Sequence, residues 1–225
     1  MADPAHQAEL DDMRRRNKRR VKRVRAQGML QGVISMLRAG DIVFDCGANV
    51  GDVTVQLAQS GAQVHAFEPD PVAFARLSER FSEVDNVTLH NVAVGTQDGV
   101  APLIRAHDFK DDPAAKSSRS TIVAGGHLMA DQADTTTQVK TVDLPRLIRE
   151  TAAENGQIAF LKMDIEGAEL DILEAMEQHD LFDAVRLTVV ETHQGKFPAL
   201  RPRLKTLRKR FAAKYPATKV NLEWT

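Results

Sequence analysis

Lys162, Asp164 and Glu166, together with Glu191 and His193, are the side chains of this 225-residue sequence best placed to move a proton. Each group follows an apolar run, so both would sit where an interior strand ends. A histidine or carboxylate within hydrogen-bonding reach of a hydroxyl can act as its general base. His193 is the first candidate for that role, Asp164 the second and Lys162 the third. Lys162 would have to lose its charge through burial to serve, so the expectation is that it pairs with Glu166 or Glu191.

A second group points to a ligand. Asp45-Cys46-Gly47-Ala48-Asn49-Val50-Gly51 closes an apolar run, and Phe67-Glu68-Pro69-Asp70 closes the next, with Glu68 21 residues beyond Gly47. Strand, glycine turn, helix, strand and acid form the layout that holds a nucleoside. Glycine lets backbone approach the ligand without a Cβ in the way, and the carboxylate can accept both ribose hydroxyls. Asn49 stands where a dinucleotide-binding turn has its middle glycine, which disfavours a pyrophosphate. The turn suits a ribose with a compact charged tail, as in S-adenosylmethionine. Thr54, one turn into the helix, is expected to meet that tail's carboxylate near the helix N-terminus.

Those residues need strands to carry them. Ile42–Asp45, Gln63–Phe67, Val87–Asn91, Ile158–Met163 and Val185–Val190 read as core strands, with helical patterns near 53–59, 71–81, 144–150 and 168–178. Alternating strands and helices predict an α/β fold with a mostly parallel, doubly wound sheet in three layers. Regularity weakens from 100 to 140, where Thr121–Val123 and Gln138–Val142 read as short added strands around a bend at Gly125-Gly126-His127. Ser117, Ser118, Ser120 and Thr121 could bind sugar-like hydroxyls, but a solvated loop is the favoured reading. Leu204–Ala213 reads as a one-striped helix, and Lys219–Trp224 as a final edge strand.

Four motifs in order resemble the FkbM-type methyltransferases: the Asp45–Gly51 turn, Phe67-Glu68-Pro69, Asn91-Val92-Ala93-Val94-Gly95, and Lys162-Met163-Asp164-Ile165-Glu166-Gly167-Ala168-Glu169. The resemblance implies a Rossmann-like class I methyltransferase fold, S-adenosylmethionine as cofactor, and methylation of a hydroxyl on a sugar, polyketide or other small metabolite. It places Asp45, Gly47, Ala48, Asn49 and Gly51 on the methionine side and Glu68 with Pro69 at the ribose. It puts Asn91 and Val92 beside the adenine, Asp164 at the reacting centre, and the 100–140 stretch beside the acceptor. Some such enzymes hold a divalent ion between strand-end carboxylates. Asp164, Glu191 and His193 occupy comparable places, although no metal is expected to be required. Such sheets usually end in a two-stranded hairpin, and one clear strand is present here, so the sheet is short by a strand or a second copy completes it.

The net charge of −1 conceals an asymmetry, because nine of the twelve residues from Arg14 to Arg25 are Arg or Lys. Residues 1–39 read as a basic extension, helical or disordered, and 40–225 as the methyltransferase domain. The extension could cap the fold or dock an anionic partner, which keeps an RNA-binding module or RNA methyltransferase as an alternative; the absence of aromatic residues weighs against exposed bases. An NAD(P)-dependent oxidoreductase is a further alternative, opposed by Asn49. No apolar run is long enough to span a membrane. A lone cysteine, Cys46, fits a reducing cytoplasm and reads as a buried thiol.

Overall fold

The computed structural model describes residues 4–105, 120–126, 136–193 and 195–224. A long helix, α1 (Pro4–Met36), leads through a turn at Gly40 into β1 (Ile42–Cys46), α2 (Asp52–Ala58), β2 (Gln63–Phe67), α3 (Pro71–Arg80) and β3 (Val87–His90). Three strands follow, β4 (Ala93–Gly95), β5 (Gly99–Ile104) and β6 (Thr136–Asp143), and then α4 (Leu144–Asn155), β7 (Ile158–Met163), α5 (Glu169–Gln178) and β8 (Val185–Val190). The chain closes with α6 (Arg201–Lys214) and a two-residue β9 (Val220–Asn221).

Six strands form the main sheet in the order β3-β2-β1-β7-β8-β9, and every pair is parallel. Period-two alternation sends neighbouring side chains to opposite faces. Phe44, Leu161 and Met163 pack with Leu144 and Ile148 of α4, Ile172 and Leu173 of α5, and Leu207 and Phe211 of α6. Val43, Phe160 and Val189 pack on the other face with Leu30 and Val33 of α1, Leu37 just past it and Leu57 of α2. A sheet covered on both faces needs continuous apolar strands, which is why β7 is buried along its whole length. The expected class I α/β fold is present.

The chain order reverses between β1 and β7, and open α/β sheets bind ligands at such a point, beyond the strands' C-terminal ends. Local chemistry fixes the helices that start there. Asp70 caps α3 by accepting from the Val72 amide at 2.9 Å, with Pro71 at the position where its missing N–H costs nothing. Asp143 caps α4 in the same way through the Arg146 amide at 2.9 Å.

Several elements differ from the sequence reading. The basic stretch, read as helical or disordered, is helical and continuous with the turns whose Leu30 and Val33 pack on the sheet, so α1 is one helix. The second sheet has order β4-β6-β5. Of Thr121–Val123, read as an added strand, Thr121 alone pairs, in one antiparallel bridge with Ile104. His127, Ser117 and Ser118 lie outside the described residues. The edge strand expected over Lys219–Trp224 shrinks to β9, since Leu222 and Trp224 turn into the cores on the sheet's two faces.

Candidate active site

The turns after β1, β2 and β7 meet at the sheet edge. After β1 the backbone enters the left-handed region at Gly47 (φ +79°), Asn49 (φ +50°) and Gly51 (φ +88°). A Cβ on Gly47 would stand 1.8 Å from the Asp164 carbonyl oxygen, so a side chain there would force the β1 and β7 turns apart. The Gly47 and Ala48 amides both donate to the Phe67 carbonyl, at 2.9 and 3.0 Å, and the Asp164 amide donates to the Cys46 carbonyl at 3.0 Å.

Beneath this turn lies a buried ion pair. The parallel register sets Asp45 directly opposite Lys162, and Lys162 Nζ lies 3.0 Å from Asp45 Oδ1. The ammonium also donates to the Gly47 carbonyl at 2.9 Å. Burial opposes the lysine's charge, but Asp45, followed by Asp164, more than offsets it and holds the ammonium above its ordinary pKa. Lys162 is therefore cationic, and its partner is Asp45 rather than Glu166 or Glu191. Thr54 Oγ1 donates to Asp45 Oδ2 at 2.7 Å. Asp45 and Thr54 are both fully buried, so they brace the turn from below instead of reaching a ligand, contrary to the expectation for Thr54. Burial pushes the Cys46 thiol far above its ordinary pKa, which leaves it inert.

Glu68 forms the opposite wall. Its Oε2 accepts from the Asn49 amide and its Oε1 from the Asp70 amide, each at 2.8 Å. Burial raises its pKa to about 7, and those two backbone donors pull partly the other way. Gly47, Asn49, Glu68, Pro69, Val92 and Asp164 all line one cleft of about 610 Å³, part of it open to solvent. The second sheet supplies an apolar wall through Val94 and Leu103, which Ile122 beyond it extends. Among the described residues, buried Asn49 Oδ1 has no hydrogen-bond partner.

Ala48, Gly51 and Asn91 do not line the cleft. Ala48 packs with Leu77 and Phe81, and a Cβ on Gly51 would strike those same two side chains. Asn91 Nδ2 donates to the Glu68 and Pro69 carbonyls, at 2.9 and 3.3 Å, and so fixes the Glu68 turn from outside. Ser120 Oγ donates to Asp70 Oδ2 at 3.0 Å, and Thr121 Oγ1 to the Glu166 carbonyl at 2.6 Å. These two bonds pin the chain after β5 across the cleft mouth.

His193 stands behind Asp164, in a smaller adjoining hollow with Gly167, Phe197 and Leu204. Its Nδ1 lies 2.8 Å from Glu169 Oε1, and its Nε2 lies 3.5 Å from both Asp164 Oδ1 and Glu166 Oε2. Burial works against protonation, yet the Glu169 hydrogen bond and the surrounding carboxylates prevail and lift the imidazole pKa to about 9. Glu166 is paired with Lys196 at 2.8 Å. Asp164, Glu191 and His193 also bring one ligand atom each within 4.8 Å of one another. An oxygen-rich set of this kind could hold Mg or Mn.

The sequence reading gave Glu169 no role. It is 3% exposed, accepts from the Ile165 amide at 3.1 Å, and grips the imidazole. A buried acid in the first turn of α5, facing the end of the next strand, was the available signal.

Residues 45–213 match the methyltransferase FkbM domain family. The chain belongs to the FkbM methyltransferase family. Within that family it is similar to the 31-O-demethyl-FK506 methyltransferase FkbM of Streptomyces tacrolimicus, at 33% identity over 70% of this chain and 67% of that one. It is 25% identical to the hexuronic acid methyltransferase AglP of Haloferax volcanii, over 76% of this chain and 64% of the relative. With the 2-O-methyltransferase NoeI of Sinorhizobium fredii it shares 31% identity over 63% of this chain and 60% of the relative. The FkbM-family match thus spans about two thirds of the length of these curated relatives, or somewhat less.

Proposed function

We propose that this protein transfers a methyl group from S-adenosylmethionine to a hydroxyl oxygen of a small-molecule acceptor. The observation that carries the reading is Glu68. It is a buried strand-end carboxylate steadied by the Asn49 and Asp70 amides, facing the same cleft as Gly47 and Asp164. A carboxylate accepts hydrogen bonds at lone pairs beyond those the amides use, so it can hold two ribose hydroxyls. The unpartnered Asn49 Oδ1 suits an ammonium or hydroxyl donor. Val92, Val94, Leu103 and Ile122 offer an apolar slot of the kind an adenine fills. The residues present therefore fit the cofactor. Relatives whose names state oxygen methylation support the choice of acceptor atom.

When bound, S-adenosylmethionine supplies an electrophilic methyl group on a sulfonium. The protein's part is positioning and proton removal. Asp164, on the cleft wall, orients the acceptor hydroxyl. With the cofactor held in the cleft, the hydroxyl proton would pass to His193 Nε2. Glu169, bonded to Nδ1, fixes the tautomer and stabilises the imidazolium. His193 must be neutral to act, so its three surrounding carboxylates make it a stronger base that is less often free.

Calorimetric titration with S-adenosylmethionine, S-adenosylhomocysteine and NADH tests the reading. Heat with the two adenosyl compounds and none with NADH is expected. Binding of NADH alone would overturn it in favour of a reductase.

A further inference from the structure

The N-terminal part of α1 is unused by the site. Nine of its twelve residues from Arg14 to Arg25 are basic. Among the described residues, the carboxylates paired with this arm are Asp11, bonded to Arg14, and Asp12, bonded to Arg16. Arg14 and Lys18, Arg16 and Arg20, and Lys18 and Lys22 are like charges four residues apart on one helix, which repel. Among the described residues, two carboxylates thus pair with an arm of nine cations.

Its apolar residues are ordered. At about 100° per residue, Leu10, Met13, Val21 and Val24 fall within an arc of about 80° that Asn17 interrupts, and the nine basic residues fill an arc of about 240° on either side of it. Met13, Val21 and Val24 are 59%, 45% and 61% exposed. The residues that anchor α1 to the sheet, Ala26, Leu30, Val33 and Leu37, face the opposite side of the helix by the same count. The exposed strip therefore looks away from the sheet, and among the described residues nothing covers Met13, Val21 or Val24.

The arm also has a direction. Gln31 Nε2 donates to Gln56 Oε1 of α2, and Ala39 lies against Gly61 just past that helix, so α1 and α2 run the same way. Since α2 starts four residues before Gln56, α1 passes that level near Gln27. Residues 4–26 continue beyond it, on the side of the sheet where the strands end and the cleft opens.

We infer that the arm is a docking surface for an anionic lipid bilayer. A narrow apolar strip flanked by arginine and lysine matches an interface in which side chains enter the headgroup boundary while the cations meet lipid phosphates. A second copy of the arm fits poorly, because pairing two strips would bring their flanking cations together. A nucleic-acid backbone would answer the charges but leave Met13, Val21 and Val24 in water. The strip is too narrow to bury the helix whole, and no helix among the described residues is long and apolar enough to cross a membrane.

The test is co-sedimentation of the full chain with vesicles of phosphatidylcholine alone and with a third of phosphatidylglycerol. Binding to the anionic vesicles, at least tenfold weaker to the neutral ones and weakened by salt, is expected. Arg15→Glu/Lys18→Glu/Lys22→Glu should abolish it, and Met13→Ser/Val24→Ser should weaken it several-fold with the charge intact. Both variants should bind S-adenosylhomocysteine as the parent does, which separates this inference from the proposed activity. Failure to bind anionic vesicles, equal binding to both vesicle types, or capture of duplex RNA without vesicle binding would each overturn it. So would a dimer in solution that dissociates on changing Met13 and Val24.

Discussion

Lys162 and Asp45 face each other across the β1–β7 pairing, 3.0 Å apart and sealed under the turn that carries Gly47. The pair welds two strand ends at the point where the site is built. Lys162→Met strands a buried carboxylate and should lower unfolding stability by about 3–5 kcal/mol, with Asp45→Leu/Lys162→Met recovering most of the loss. Denaturant unfolding of the two variants measures this. A single variant as stable as the parent would show that the pair is not strongly coupled.

Glu68→Ala should weaken S-adenosylmethionine binding at least about tenfold, since in the proposed site Glu68 accepts from both ribose hydroxyls. Circular dichroism should stay native-like, although the Asn49 and Asp70 amides lose their partner. Unchanged affinity by calorimetry would place the ribose elsewhere.

The same carboxylate sets a pH dependence. Its pKa is raised to about 7 in the ligand-free protein, and ribose hydroxyls donate to the ionised form. Binding therefore draws the group toward its charged state and releases a proton. Affinity should be flat above pH 7 and fall as pH drops below it, by up to about tenfold per unit. Glu68→Gln should bind more weakly and flatten the profile. For folding alone the sign is opposite: a carboxyl raised above its unfolded value favours the native state most at low pH. That contribution is lost as pH climbs from the ordinary glutamate range to 7.

His193→Ala should cut turnover far more than cofactor affinity, by about two orders of magnitude or more. Glu169→Gln should reduce turnover less, since Nδ1 keeps a hydrogen-bonding partner but loses the charge that favours imidazolium. Parallel losses in turnover and cofactor affinity would assign His193 a structural role.

If His193 is the base, as proposed, thorough chelation should leave turnover intact. A loss of activity restored by Mg or Mn would make Asp164, Glu191 and His193 the ligands of an ion that acidifies the acceptor.

The strands and the glycine turn were legible because they obey local rules: period two, continuous apolar runs where both faces are covered, and glycine where the backbone turns left-handed. What the sequence hid were relations between distant segments. Lys162 has acids nearby in sequence, and only the register of β7 against β1 turns it toward Asp45. Thr54 read as a ligand contact from its place on a helix N-terminus, but that helix directs it under the turn. Glu169 reaches His193 because α5 folds back toward the end of β8, which no motif spacing states. Around Thr121 the sequence lacks periodicity, and the fold there rests on one bridge to Ile104 and single bonds to Asp70 and Glu166 rather than on a ladder.

The bridge between Ile104 and Thr121 sets those two positions side by side at the cleft, so any chain inserted between them would be closed at its base. Closure entropy grows slowly with loop length, and insertions there should cost little folding free energy while the pinned base keeps its place over the cleft. Residues added between those two positions are thus a way to change what reaches the cleft mouth while the Glu68 turn keeps its bonds to Asn49 and Asp70.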